Sequence, residues 1–174
     1  DVNVRRGIAL ALDREEIVKT VYGGAAEVGN DTTFFPSSAI QPKGLEQREQ
    51  DKAKAADLLG GTTVSFEITT LDAEKALAQG VQQQLEAVGG FDVTLKVLTS
   101  AQYYADGDDT PWLNAPVTIT NWAQRLPAQY VDLIYRDAAV WNASKYSSPE
   151  LEQLTDRYES TTDERSEEHT SDSS

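Results

Sequence analysis

The sequence has no cysteine and no methionine, and its single histidine, His169, lies near the chain end. Without cysteine, neither a disulfide nor a thiolate metal site can form, and composition leaves the redox compartment open. With no histidine before residue 169, His/Cys metal centres and Ser-His-Asp or Cys-His catalysis are excluded from the body of the chain. Positive charge is also scarce: 15 Lys and Arg stand against 29 Asp and Glu, a formal net charge of −14. Binding to phosphate backbones needs a basic stripe, so nucleic acid and anionic membrane surfaces are excluded as partners. No apolar run approaches the roughly 20 residues of a membrane span, and no signal peptide is visible. The chain opens mid-pattern at Asp1 with no start residue, so the reading frame is expected to begin upstream. What remains is a chain of 174 residues, 39% of them hydrophobic. That is enough for one soluble domain with a core of its own.

Apolar residues at Val4, Ile8, Ala11 and Leu12 predict a first helix. Asp13-Arg14-Glu15-Glu16 reads as a capping box, with Asp13 accepting from the Glu16 amide and Glu16 reaching back. A second helix runs through Ile17, Val18, Val21 and Tyr22 and ends at Gly23-Gly24. Residues 25–50 have no sustained period and read as a long loop. A short helix over 51–59 follows, closed by Gly60-Gly61. Val64, Phe66 and Ile68 alternate with polar residues, as a strand with one buried face does. Asp72 is expected to cap a helix bearing the stripe Leu77, Val81, Leu85 and Val88. Phe91, Val93, Leu95 and Val97 then form a second strand. This strand–helix–strand unit predicts two parallel strands with a right-handed crossover. A helical turn is expected over 101–105, a third strand over 117–120, and a helix over 128–138 burying Tyr130, Val131, Ile134 and Tyr135. Ser148-Pro149-Glu150 starts a last helix, packed through Leu151, Leu154 and Tyr158. From Asp163 on there is nothing apolar to bury, so this tail is predicted to be disordered. Its Arg165-to-Ser171 stretch resembles a translated sequencing adapter, and residues 164–174 are set apart from the fold as a scar.

Oxygen-only metal binding would draw on Asp106-Gly107-Asp108-Asp109, but the spacing is not that of a calcium loop and reads as a solvated turn. No glycine motif cradles phosphate, and no metal or cofactor is expected. The stretch from Thr118 to Pro127 is the strongest candidate for function. In open α/β sheets ligands meet the protein at strand ends. Here a strand end delivers Asn121, Trp122 and Arg125, the last two three residues apart. An indole offers a flat apolar wall, and a guanidinium offers a fixed fork of donors for an anion. The same pair also reads as a core Trp beside a surface Arg.

The opening, Val4-Arg5-Arg6-Gly7-Ile8-Ala9-Leu10-Ala11-Leu12-Asp13-Arg14-Glu15-Glu16-Ile17-Val18 with Tyr22-Gly23-Gly24, resembles the peptide/nickel class of extracellular solute-binding proteins that feed ABC importers. Gly7 stands where that family usually has alanine. The helix Asp51-Lys52-Ala53-Lys54-Ala55-Ala56-Asp57-Leu58-Leu59 and the passage from Gln82 to Val93 are similar to the family's next motifs. Asn121-Trp122, Trp141-Asn142 and Tyr146-Ser147-Ser148-Pro149-Glu150-Leu151 follow in its order. The resemblance implies an α/β, periplasmic-binding-protein-like lobe of the type II clamshell. Such a lobe is a mixed sheet with flanking helices, incomplete here. Residues 1–163 would correspond to the C-terminal lobe.

Peptide-binding members carry Trp-x-x-Asp in this loop, the aspartate pairing with the peptide's amino terminus. Arg125 occupies that aspartate's position, and a guanidinium repels an ammonium rather than accepting from it. The expected function is the binding component of an ABC importer, which holds a peptide-like or other small solute bearing an acidic portion. Trp122, Arg125 and Asn121 are its expected contacts. The expected partners are the importer's membrane subunits, the state a monomer, and the location extracytoplasmic, membrane-anchored at full length. Two readings stay open beside it: a carboxylate-dependent hydrolase, which would need paired desolvated acids, and a structural or interaction domain.

Overall fold

In a computed structural model the described residues are 1–34, 38, 40–41, 43–107 and 110–161. The predicted tail, His169 and half of the Asp106–Asp109 turn lie outside them. The chain divides into two compact units, 1–31 with 47–121, and 32–46 with 122–174.

The first unit begins with helix α1 (Val2–Ala11), whose open amides at Asn3 and Val4 donate to the Asp1 carboxylate. Helix α2 (Arg14–Tyr22) is capped by Asp13, which accepts from the Glu16 amide at 2.9 Å. The reciprocal half of the predicted capping box is absent. The Asp13 amide donates instead to Oε1 of Gln84 at 2.7 Å, and Gln84 Nε2 donates back to the Asp13 carbonyl at 3.2 Å. A side chain 71 residues away thus outcompetes Glu16 for this donor. Helix α3 (Lys52–Leu59) is capped by Asp51 and closed by Gly60 in the left-handed conformation.

Strands β1 (Val64–Leu71), β2 (Phe91–Leu98) and β3 (Val117–Ile119) form a parallel sheet in the order β2-β1-β3. β2 pairs with β1 along its whole length, whereas β3 meets only Ile68 to Thr70. Alternation on β1 therefore stops at Ile68. Thr69, expected to face solvent, is 2% exposed and Thr70 is 0%, because this stretch has neighbours on both edges and cover on both faces. Between β1 and β2 a 3-10 turn (Asp72–Glu74) leads into helix α4 (Lys75–Glu86). Asp72 is the first residue of that turn and makes no capping hydrogen bond, contrary to expectation. The helix instead buries Ala78 and Leu85, with Val81 and Val88 packed around the core.

That core joins Ala11, Ala55, Leu59, Ile68, Leu85, Phe91 and Val93 from α1, α3, α4 and the sheet. Each large side chain removed from water contributes about 2–3 kcal/mol. Two short helices complete the unit: α5 (Ser100–Tyr103), as predicted, and α6 (Pro111–Asn114), which no period announced.

In the second unit, helix α7 (Pro127–Tyr130) passes directly into a π-helical turn (Val131–Tyr135). The predicted helix over 128–138 ends early because Arg136 is extended, with its guanidinium bonded to three carboxylates of helix α8 (Pro149–Ser160). Those are Glu152 at 3.0 Å, Asp156 at 2.9 Å and Glu159 at 2.7 Å. Hydrogen bonds to Glu159 and Asp156 push the Arg136 pKa further above its ordinary value. Helix α8 turns Thr155 inward, while Leu154, expected in its packing face, is 40% exposed. Residues 32–34 join this unit through Thr33, bonded to the Tyr135 hydroxyl at 2.6 Å, and Phe34, edge-on to Tyr130 at 5.9 Å. Among the described residues no helix is long and apolar enough to cross a membrane.

Candidate functional site

The carboxyl end of β3 is fixed from beneath by one buried side chain. Thr99 and Gln102 form a capping box that starts α5, and the helix points Tyr103 inward, fully buried. Its hydroxyl donates to the Ile119 carbonyl at 3.0 Å and lies 2.6 Å from the Thr120 hydroxyl. Burial is the leading cause that raises the Tyr103 pKa. Tyr104 and Trp112 continue the aromatic packing, with ring centroids at 5.0 and 5.8 Å. β3 has only three residues to hold it in the sheet. The Tyr103 bonds therefore matter more to where the chain leaves the sheet than they would beside a long strand.

Asn121, exposed, is the last residue of the first unit and lies just beyond this exit. Its amide donates to Glu74 Oε1 at 3.4 Å, which joins the chain leaving β3 to the chain leaving β1. Trp122 and Arg125 belong to the second unit, and both are half-buried. The two side chains meet through a third. The rings of Trp122 and Trp141 lie 5.7 Å apart with their planes at 57°, and Arg125 Cζ lies 5.1 Å from the Trp141 ring centroid. Within the same unit, buried Tyr130 holds this loop by donating to the Ala123 carbonyl at 3.2 Å.

The predicted trio is therefore divided. Trp122 and Arg125 form one arrangement with Trp141, and Asn121 pairs with Glu74 in the other unit. An arginine stacked on an indole keeps its charge and its in-plane donors. Arg125 makes no ion pair or hydrogen bond among the described residues, and its Nε is buried without a partner. A buried donor with an unmatched positive charge is costly unless an anion meets it. The arrangement thus suits a carboxylate lying edge-on to the guanidinium, with an apolar group against the indoles. Among the described residues no group of three or more His, Cys, Asp or Glu could hold a metal ion.

Trp141, Glu74 and Tyr103 were not among the contacts expected from the sequence. Trp141 stands in one of the motifs that carry the family resemblance, but no local pattern ties it to Trp122 or Arg125. Glu74 and Tyr103 lie just past strand ends, and that position was the available signal.

No curated protein matches the sequence. Solved structures do. The oligopeptide-binding protein AppA from Bacillus subtilis, in complex with a nonapeptide, matches at 24% identity and a TM-score of 0.77, over 96% of this chain and 37% of its own. DppA from Helicobacter pylori, an ABC transporter-associated periplasmic binding protein in complex with peptide STSA, matches at 22% and 0.85, over 97% and 34%. NikA from Staphylococcus aureus, in complex with Ni(L-His)2, matches at 17% and 0.82, over 98% and 38%. The chain thus spans well under half the length of these proteins, and at such identities the likeness is one of fold. It is the fold the sequence resemblance implied, part of a periplasmic binding protein. The model of the bacterial extracellular solute-binding proteins, family 5 Middle, matches residues 1–140. The chain belongs to that family of bacterial extracellular solute-binding proteins.

Proposed function

We propose that this chain is the greater part of the C-terminal lobe of a longer protein, the solute-binding component of an ABC importer. That protein works outside the cytoplasm as a monomer and delivers its solute to the importer's membrane subunits. The solute is small and peptide-like, with at least one carboxylate. Trp122 packs on its apolar part, Arg125 takes the carboxylate, and Asn121 offers an amide. Affinity comes from burial and charge-assisted hydrogen bonds, with no chemical step. The observation carrying this reading is the family match over residues 1–140. It is supported by the buried, unpartnered Arg125 Nε beside the tilted indole pair Trp122 and Trp141 and by the peptides bound to the Bacillus and Helicobacter structures.

The test is calorimetry on the whole encoded protein with acidic and cationic oligopeptides, before and after Arg125→Asp. Acidic peptides are expected to bind more tightly to the unaltered protein. The substitution should weaken them by about tenfold to a hundredfold, the value of one or two charge-assisted hydrogen bonds. An unchanged preference would remove Arg125 from the site.

A further inference from the structure

Arg125 lies in a stretch, 121–126, that forms neither helix nor strand. Its side chain is long and rich in rotamers, so fixing its fork in one orientation costs conformational entropy. Trp141, in the same unit, is fastened on several sides. Its amide donates to the Leu133 carbonyl at 2.9 Å, inside the π-helical turn Val131–Tyr135, and its carbonyl accepts from the Ala143 amide at 2.7 Å. The next residue, Asn142, is buried. Its Nδ2 donates to the carbonyls of Arg136 at 3.3 Å and Tyr146 at 2.9 Å, and its Oδ1 accepts from Ser144 Oγ at 2.7 Å. Arg136 is tied in turn to three carboxylates of α8. π-Helical turns are rare and recur at functional sites; here the chain returns from one to set Trp141 against Leu133. Arg125 Cζ sits 5.1 Å over the ring held in this way, with Nε buried and unpartnered. An indole face attracts a guanidinium without consuming any of its N–H donors.

We propose that Trp141 is a positioning residue: its ring holds the Arg125 fork edge-on to the carboxylate of the solute. The proposal rests on the solute-binding reading above and deepens it. It adds a residue that acts through Arg125, and it gives the site a preference for a planar, two-oxygen anion met in the plane of the guanidinium. Trp141 contributes before the solute arrives, by removing rotamers that Arg125 would otherwise lose on binding. A lysine in place of Arg125 could not use this device, because a point charge has no plane to be fixed.

N-acetyl-trialanine and its C-terminal amide differ in that carboxylate and are the probes, titrated by calorimetry into the whole encoded protein. Contacts that both peptides share cancel in the ratio of their affinities, so the ratio reads the carboxylate alone. The acid is expected to bind the unaltered protein about tenfold to a hundredfold tighter. In Trp141→Leu the ratio should fall about threefold to tenfold, the worth of one cation–π contact, and in Trp141→Phe it should recover in part. In Arg125→Lys, which keeps the charge without the fork, it should fall as well. In Arg125→Ala it should approach one, and adding Trp141→Leu should lower it no further, because the two residues act as a unit. In the unaltered protein without ligand, the indole ring current should move the Arg125 Hδ resonances upfield of their random-coil positions. Four results overturn the role of Trp141 while leaving the solute-binding reading in place: random-coil Hδ shifts, a ratio that survives Arg125→Lys, a ratio that survives Trp141→Leu, or a further fall when Trp141→Leu joins Arg125→Ala. The first two decide the matter even if Trp141→Leu does not melt cooperatively. Equal affinity of the two peptides for the unaltered protein overturns the Arg125 assignment and this one with it, and heat from neither peptide overturns the peptide reading beneath both.

Discussion

Gly7 presents bare backbone to the core of the first unit. A Cβ there would lie 3.4 Å from the Ala55 carbonyl oxygen, 3.5 Å from Phe91 Cζ and 3.8 Å from Leu59 Cδ2, all ordinary contacts. Glycine inside a helix costs conformational entropy that alanine does not, and here alanine fits. Gly7→Ala is therefore expected to raise stability by about 0.5–1 kcal/mol, read as a higher urea midpoint. A lower midpoint would mean that Phe91 cannot accommodate the methyl group.

Tyr103 supplies a second expectation. Its pKa is raised above the ordinary tyrosine value of 10.0, as are those of Tyr135 and Tyr22, chiefly by burial. Above that pH the unfolded chain ionises first and binds fewer protons than the native state, so stability must fall as pH rises. Melting temperatures should show that decline. In Tyr103→Phe the alkaline slope should be shallower, even though the variant starts about 1–2 kcal/mol less stable at neutral pH through its lost hydrogen bonds. An unchanged slope would mean that Tyr103 does not contribute to it.

Trp122 and Arg125 could be picked out at this scale because indole, guanidinium and strand end lie within one short stretch. Glu74 could not, because its contact with Asn121 spans 47 positions.

At the scale of elements, β1, α4 and β2 were readable because each carries its own period, of two or of 3.6, and glycines punctuate the joints. α6 has four residues, too few for any period to show. Residues 128–138 were overextended for a different reason. The apolar pattern continues, but Arg136 leaves the helix to reach Glu152, Asp156 and Glu159, partners up to 23 positions away. The capping box at Asp13 was half right for the same cause, a long-range competitor. Gln84 holds both the amide and the carbonyl of Asp13, and so fastens α4 to the corner between α1 and α2. Gln84→Ala is expected to cost about 1–2 kcal/mol. Hydrogen exchange should show the Asp13 amide losing protection while those within α4 keep theirs. If the Asp13 amide stays protected, Glu16 has moved in to replace the lost partner.

At the scale of the whole molecule, the chain passes between its two compact units three times, after residues 31, 46 and 121. Nothing in the sequence foreshadows this, because residues 32–46 have no periodicity and find their partners far downstream. Among the described residues, all strand pairing and the buried core cluster belong to the first unit. A chain ending at Asn121 is therefore expected to retain dispersed methyl resonances for Ile68 and Leu85, while Phe34, without Tyr130, shifts to random-coil values. Collapse of the methyl dispersion would show that the first unit does not stand by itself. Fold and family were legible from several weak motifs in a fixed order.

The same interleaving sets a timetable for synthesis. Thr33 leaves the ribosome 102 residues ahead of Tyr135, the side chain it bonds to. During elongation the sheet can close around its own strands, while residues 32–34 wait for partners not yet made. A pause or a stop codon late in the message would therefore leave a finished first half trailing an unmatched loop, a natural target for chaperone or protease.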